Sequence, residues 1–442
     1  MTAALIGFAV LLALILLRVP IALSMGLVGF FGFAVLQGLT WENMLDYRWT
    51  PSLSSAARRV ATTALQYGLS VIPLFVLMGN LIARAGVSQQ IYNASHAFLG
   101  HRPGGLAAAT VVACGGFSAI CGSSLATAAT MSKVAIPEMR KFGYADSLST
   151  AAVAAGGTLG ILIPPSVILV IYGILTETSI RELFAAGFLP GVVGILFYLG
   201  AVRWTVWRRP ESAPSTGAPM PWLMRWRALW HVRGALGLFV LVIGGIYAGV
   251  FTPTEAAGVG AGGAFAIAIW RRALSGQQLL SALCESARTS AMLFSVLIGA
   301  LIFSTFINRS GMPDDLTAFI NGLNAPPLAA LSAILLIYIV LGMLFESLSM
   351  LLLTIPVFFP VVAALGYDPV WFGIIAVVVT EISLITPPVG LNVFVLANAM
   401  GGASTTTIFR GVTPFWLADI LRLAVLVMFP AISLWLPQLL YG

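Results

Sequence analysis

Two apolar stretches of this 442-residue chain each carry a pair of adjacent prolines. Pro164-Pro165 sits in TLGILIPPSVILVIYG (158–173) and Pro387-Pro388 in SLITPPVGLNVFVLAN (383–398). Each pair removes two backbone donors and disfavours helical geometry in the residue before it. In hydrocarbon, the carbonyls freed in this way are tolerated only where they line a cavity or hold a ligand. Hydroxyl side chains stand ready nearby. Ser118, Ser123, Ser124 and Thr127 would face Thr158 to Pro165, and Ser347 and Ser349 would face Thr380 to Pro388 and Asn392. Carbonyls and hydroxyls together make a hard oxygen cage suited to a small cation. Broken helix ends offer N-terminal amides to a carboxylate. The candidate substrate contacts are therefore Ser123, Ser124, Thr127, Pro164, Pro165, Ser166, Ser349, Pro387, Pro388 and Asn392. The plainer reading is that the prolines kink two helices and the serines cap turns. Two breaks at matched positions, each with its own polar partner segment, favour a binding site.

The elements that position these residues must sit in lipid. The chain is 59% hydrophobic and 8% charged, with a mean hydropathy of +1.00, whereas a soluble domain carries about 25% charged residues. Apolar segments at 3–17, 21–39, 67–83, 148–176 and 183–207 precede a Pro- and Arg-rich stretch at 208–233. Further segments at 234–251, 254–270, 290–307, 371–400 and 411–440 follow it. Two more, 105–135 and 327–363, are too long for one span and are interrupted at SAICGSS (118–124) and FESLS (345–349). Each reads as a re-entrant helical hairpin. The more polar segments 42–66 and 275–288 read as interfacial amphipathic helices. The opening run lacks a basic n-region and reads as a retained span. Cys114, Cys121 and Cys284 fall in apolar or helical stretches, which argues against a disulfide framework.

The halves repeat. One offset of 223 residues carries Pro103 to Pro326, Ser124 to Ser347, Pro137 to Pro360, Tyr144 to Tyr367 and Pro165 to Pro388. Each half holds five spans and one hairpin. Five is odd, so the second copy must be inverted in the membrane, as in secondary transporters. The predicted fold is an all-α polytopic membrane protein made of a first repeat (1–207), a cytoplasmic linker (208–233) and a second repeat (234–442).

Charge sets the orientation. The 22 basic residues outnumber the 15 acidic ones, a surplus that suits cytoplasmic loops and lipid headgroups better than nucleic acid. With the linker cytoplasmic, Arg48, Arg58, Arg59, Arg181 and Arg309 fall outside and Arg422 lies within a span. All other basic residues fall inside. Both termini are accordingly predicted to be periplasmic.

Among the acids, Glu255 follows TPT at a helix start and reads as part of a cap. Asp419 and Arg422 are three apart on one helix and should neutralise each other. Glu346 and Glu381 have no partner nearby in sequence, and an intramembrane acid is a candidate for cation or proton coupling. No phosphate-binding loop is present, since neither Lys133 nor Lys141 follows glycine, so direct ATP drive is unsupported. His96, His101 and His231 lack metal-ligand spacing, and no Ser/His/Asp arrangement suggests a hydrolase.

The run GGFSAICGSSLATAATMSKVAIPEMRKFGYADSLSTAAVAAGGTLGILIPPSVILVIYG (115–173) resembles the large membrane subunit of tripartite ATP-independent periplasmic (TRAP) transporters. So do GVFTPTEAAGVGA (249–261) and LITPPVGLNVFV (384–395), and the likeness covers nearly the whole chain. It implies an elevator-type, sodium-coupled importer of organic acids such as sialic acid or C4-dicarboxylates, in which a transport domain moves against a scaffold. It places the chain in the bacterial cytoplasmic membrane. A small four-span membrane subunit and a soluble periplasmic substrate-binding protein would be its partners, with sodium as the coupling ion and no other cofactor. Carried onto this sequence, one sodium site would involve Ser118, Cys121, Gly160, Ile163 and Pro165. A second would lie near Gly342, Ser347, Thr380, Thr386 and Pro388. Cys121 stands where the family commonly has serine. A thiol is a poor sodium ligand if the side chain contributes, and nothing is lost if only the backbone does. A free-standing divalent-anion/sodium symporter of similar two-hairpin architecture is the alternative. An intramembrane hydrolase is disfavoured by the histidine positions.

Overall fold

The computed structural model describes every residue except Trp41, Leu45, Asp46, Arg48, Ser215, Thr216, Asn324, Ala325, Leu344 and 401–403. Arg48, one of the arginines expected outside, therefore lies outside the described residues. All regular structure among the described residues is helical.

Helices α1 (Thr2–Leu16) and α2 (Ile21–Leu36) are followed by α3 (Thr50–Leu65), which is the amphipathic helix expected within 42–66. Gln66 then leaves helical geometry, and a short 3₁₀ turn leads into α4 (Val71–Arg84). Next comes α5 (Val87–Leu99), too polar to stand out as an apolar segment. The first predicted hairpin is α6 (Gly105–Cys121) and α7 (Ser124–Lys141). The first broken helix is α8 (Asp146–Thr158), a 3₁₀ turn at Leu159–Ile161 and α9 (Val167–Thr176), and α10 (Ile180–Arg208) completes the half.

The linker is not wholly irregular. It contains α11 (Trp222–His231), which buries none of its residues and meets the next helix at a 54° bend. That next segment is α12 (Arg233–Phe239), a π turn at Val240–Gly244 and α13 (Gly245–Tyr247). Helix α14 (Pro253–Trp270) opens with a capping box in which Thr252 is the cap and Glu255 its partner, as expected of Glu255. Helix α15 (Gly276–Arg309) is one 34-residue element running through both the expected interfacial helix and the expected span. No proline interrupts it, and a Ser275–Gln278 capping box starts it.

The second half continues with α16 (Met312–Gly322), the hairpin α17 (Pro327–Gly342) and α18 (Ser347–Ala364), and the broken helix α19 (Pro369–Ser383) and α20 (Leu391–Ala399). The single span expected at 411–440 is in fact two helices, α21 (Thr405–Met428) and α22 (Ala431–Tyr441), parted at Phe429-Pro430. Pro430 disfavours helical geometry in the residue before it.

Among the described residues, by length and composition, five helices could cross a bilayer singly, or six if the bent pair counts as one, against the ten spans expected. The other apolar helices are 10–17 residues long; beyond α1 and α2, the proline pairs, the hairpin tips and Pro430 cut apolar sequence into shorter pieces. Helices α8 and α19 form the centre of the molecule, with every residue from Leu148 to Thr158 and from Val370 to Ser383 buried.

Candidate functional site

The first break starts from missing donors. Pro164 and Pro165 cannot bond the carbonyls of Gly160 and Ile161, four residues earlier. Ser166 repairs one loss: its hydroxyl donates to the Ile161 carbonyl and accepts from the Leu169 amide at 3.2 Å, capping α9. The Gly160 carbonyl is not repaired in the same way, because the Ile163 amide goes to Leu159 at 3.1 Å. A Cβ at position 160 would sit 2.8 Å from the Ser123 carbonyl oxygen, so only glycine lets this turn press against the first hairpin tip. That tip turns through Gly122 at φ 63°, in the left-handed region that favours glycine. Ser123 then caps α7 by accepting from the Ala126 amide at 3.4 Å.

The second break repairs both of its losses. Pro387 and Pro388 orphan the carbonyls of Ser383 and Leu384, which are taken up by the Thr386 amide at 3.3 Å and the Asn392 amide at 3.1 Å. At the second tip Glu346 precedes α18, and the Ser349 hydroxyl donates to it at 3.5 Å.

The two tips open on one cavity of about 310 Å³. Cys121, Ser123 and Ser124 line it from the first hairpin and Glu346 and Ser347 from the second, with Ile161 and Leu384 from the breaks. Asn80 of α4 and Glu285 and Thr289 of α15 close it. Glu285 is ion-paired with Arg84 at 2.8 Å, and Asn80 donates to Ser286 at 2.8 Å. A larger cavity of about 740 Å³ lies between α3 and the end of α15, lined by Arg58, Arg59 and Arg309 among others. No tip or break residue reaches it, so the chemistry converges on the smaller one.

The predicted substrate contacts divide. Ser123 and Ser124 line the tip cavity, whereas Thr127, Pro164, Pro165, Ser166, Ser349, Pro387, Pro388 and Asn392 lie off it. The reasons are local. Pro164 and Pro165 are buried behind the first tip, Ser166 is spent on capping α9, and Asn392 donates its side-chain amide to the Ala154 carbonyl at 3.0 Å.

The predicted cation ligands fare differently. Ser118 and Ser347 are buried with hydroxyls that have no hydrogen-bond partner among the described residues, and the same is true of the side-chain oxygen of Asn392, a predicted substrate contact. Buried polar groups are rarely left unpaired without cause. Cys121 is buried at the cavity wall, and Ile163 and Pro165 are buried beside Gly160. Thr380 and Thr386 donate to the Val377 and Ile382 carbonyls at 2.7 and 2.6 Å, which leaves their oxygen lone pairs free. A Cβ on Gly342 would collide with Ser383, so glycine brings α17 against the end of α19. The described residues contain no cluster of three or more His, Cys, Asp or Glu side chains able to hold a metal. Hydroxyls and carbonyls are the donors on offer, a hard set that fits a small alkali cation.

Glu381 is not the solitary acid its sequence neighbourhood suggests. It is fully buried and ion-paired with Arg422, which also lies 3.2 Å from Asp419. The expected Asp419–Arg422 pairing is present, but it is one side of a three-charge cluster whose third member comes from 41 residues away. Asn80 and Glu285 were also missed. A lone amide inside the apolar run VIPLFVLMGNLIAR was the available signal for Asn80, and none existed for the approach of Glu285.

Residues 8–432 match the family described as tripartite ATP-independent periplasmic transporter, DctM component. The chain is 36% identical over 393 residues to the C4-dicarboxylate TRAP transporter large permease protein DctM of Pseudomonas aeruginosa, covering 88% of this chain and 90% of that protein. It is 32% identical to the sialic acid TRAP transporter large permease protein SiaM of Vibrio cholerae, covering 88% and 91%. Its fold is similar to the crystal structure of the Alcanivorax borkumensis YdaH transporter, with a TM-score of 0.53 at 16% identity over 86% of this chain and 89% of that one.

Proposed function

The chain belongs to the tripartite ATP-independent periplasmic transporters as their DctM component, the large permease subunit, and on that premise we propose that it forms the path by which a sodium gradient carries an organic acid into the cell. It is a multi-pass membrane transporter subunit, not an enzyme. The observation that carries this reading is that two helix N-termini open on the same cavity. Helix α7 begins at Ser124 and α18 at Ser347, and both residues line it. The positive ends of two helix dipoles there favour a carboxylate. The buried hydroxyl of Ser118 behind the first tip and that of Ser347 at the second have no partner among the described residues.

Cations held by these hydroxyls and by the Gly160 carbonyl would firm the breaks and tips around the cavity, and would offset the charge of Glu346 and of the substrate. The hairpins and broken helices of the two halves would form an inverted-repeat transport domain that slides against a scaffold of the remaining helices. Both termini would be periplasmic. A small membrane subunit and a soluble binding protein, as the family implies, would complete the importer, and the relatives' names support a carboxylate cargo.

Uptake of a radiolabelled carboxylate into proteoliposomes tests this, with the small subunit and the binding protein each present or omitted and sodium gradients imposed or absent. Sodium-driven uptake only with both partners is the expected result. Uptake by the chain alone would make it a free-standing symporter. Uptake indifferent to sodium would overturn the cation cages.

A further inference from the structure

Five buried side chains join the two broken helices through the centre of the molecule. The Thr158 hydroxyl, at the end of α8, lies 2.8 Å from the Tyr198 hydroxyl of α10. Tyr198 donates to Asp419 of α21 at 2.7 Å, Asp419 lies 3.2 Å from Arg422, and Arg422 pairs with Glu381 near the end of α19. All five are wholly shielded from solvent. Thr158 and Glu381 are separated by 223 residues, the offset that relates Pro165 to Pro388. The chain of contacts therefore begins and ends at equivalent positions, each just ahead of its break.

The surrounding structure makes room for this link. A Cβ on Gly194 would lie 2.2 Å from Arg422, so glycine leaves space for the guanidinium, which also sits over the Tyr198 ring at 5.8 Å. A buried cluster of two carboxylates and one guanidinium is a poor route to stability, since well-packed apolar residues commonly do as well or better. Simple packing does not account for it.

We propose that Thr158, Tyr198, Asp419, Arg422 and Glu381 are positioning residues that make the two breaks rearrange together, so that filling one cation cage sets the geometry of the other. The proposal rests on the cage reading above. Thr158 ends α8, and with Tyr198 donating to Asp419 its single hydroxyl proton is shared between the Tyr198 oxygen and the Ala155 carbonyl, each at 2.8 Å, so a shift of the turn bearing Gly160 moves its hydroxyl. Tyr198 and the charge cluster pass that shift to Glu381, which is adjacent to Thr380. Coupling through such a link is reciprocal.

Two measurements on the full chain test it. Hydrogen–deuterium exchange in detergent compares the unmodified protein with Glu381→Gln, Tyr198→Phe, Thr158→Val and Thr158→Ser. Glu381→Gln should loosen amides at 159–163 in the other half as well as those at 382–386. Tyr198→Phe and Thr158→Val should do the same, while Thr158→Ser, which keeps the hydroxyl, should retain the protection that Thr158→Val loses. Loosening confined to the mutated half in every variant would overturn the proposal. The second measurement is a sodium titration of uptake by the complete complex. In Tyr198→Phe the Hill coefficient should fall toward one and half-saturating sodium should rise about fivefold or more. A lower maximal rate with both values unchanged would mark a purely structural role and sink the idea. If the unmodified complex ignores sodium, the cage reading fails by itself and the exchange data alone decide whether the breaks are linked.

Discussion

The first and second proline breaks share a sequence pattern but solve its chemistry differently. At the first, Pro164 and Pro165 are buried, the turn is pressed against the hairpin tip, and one freed carbonyl, that of Gly160, is not bonded again by the turn's own backbone. Its surroundings are small and neutral: glycines, alanines, hydroxyls and a thiol. At the second, Pro387 and Pro388 are exposed and both freed carbonyls are bonded again within the turn. Charge enters instead. At the 223-residue offset Glu346 stands where the first half has Ser123, and Glu381 where it has Thr158. The same backbone device thus relies on neutral oxygen and close packing in one half and on carboxylates in the other.

The sharpest way to break that comparison is to fill the space at position 160. Gly160→Val puts a branched side chain against the Ser123 carbonyl, which is backbone and cannot step aside. We expect uptake in proteoliposomes to fall by about two orders of magnitude, the scale on which small misplacements of reacting groups act, with the protein still monodisperse on size exclusion. Ser383→Ala at the equivalent position should stay within a few-fold of the unmodified rate, and comparable losses at both would erase the distinction. The proline pairs come next. Replacing Pro164-Pro165 by alanines restores donors inside a buried turn and should abolish uptake. The same exchange at the exposed Pro387-Pro388 should leave a measurable fraction.

Stability separates the halves in another way. Arg422→Met leaves Glu381 and Asp419 buried without a counter-charge, and breaking such a cluster from one side costs about 3–5 kcal/mol. Ser166→Ala at the first break removes a cap and should cost about 1 kcal/mol. Thermal unfolding in detergent should show the larger drop in Tm for Arg422→Met. The reverse order would mean that the second half does not depend on its charges.

These contrasts also show what the sequence could reveal. Pro164-Pro165 and Pro387-Pro388 were legible as breaks because a missing N–H is a local fact, and the hairpins were legible because SAICGSS and FESLS interrupt runs too long for one span. The single 34-residue helix α15 was not, since a change from polar to apolar sequence looks like two elements when nothing in the chain marks continuity. Pro430 was the overlooked marker of the opposite case. At the site, Ser123, Ser124, Ser347 and Glu346 could be placed because they sit on the tips themselves. The partner of Glu381 could not, because Arg422 arrives from another helix and periodicity carries no record of which faces meet. The surroundings of Asn392 were hidden for the same reason, since the Ala154 carbonyl that its side-chain amide bonds comes from the opposite half.

The smallest expected effect concerns Cys121. A Cβ built on Gly79 would lie 2.9 Å from the Cys121 carbonyl oxygen, so that oxygen packs against α4. The Cys121 side chain, buried at the wall of the tip cavity, is the group through which we expect it to contribute to a cation. Sulfur is a soft donor poorly matched to a hard alkali ion, and Cys121→Ser supplies an oxygen of nearly the same shape. A gain of the size of one ordinary polar contact should lower half-saturating sodium about two- to fivefold and leave the maximal rate unchanged. An unchanged sodium dependence in Cys121→Ser would place the first cation wholly on hydroxyls and on the Gly160 carbonyl, and would move the neutral cage one residue away from the tip.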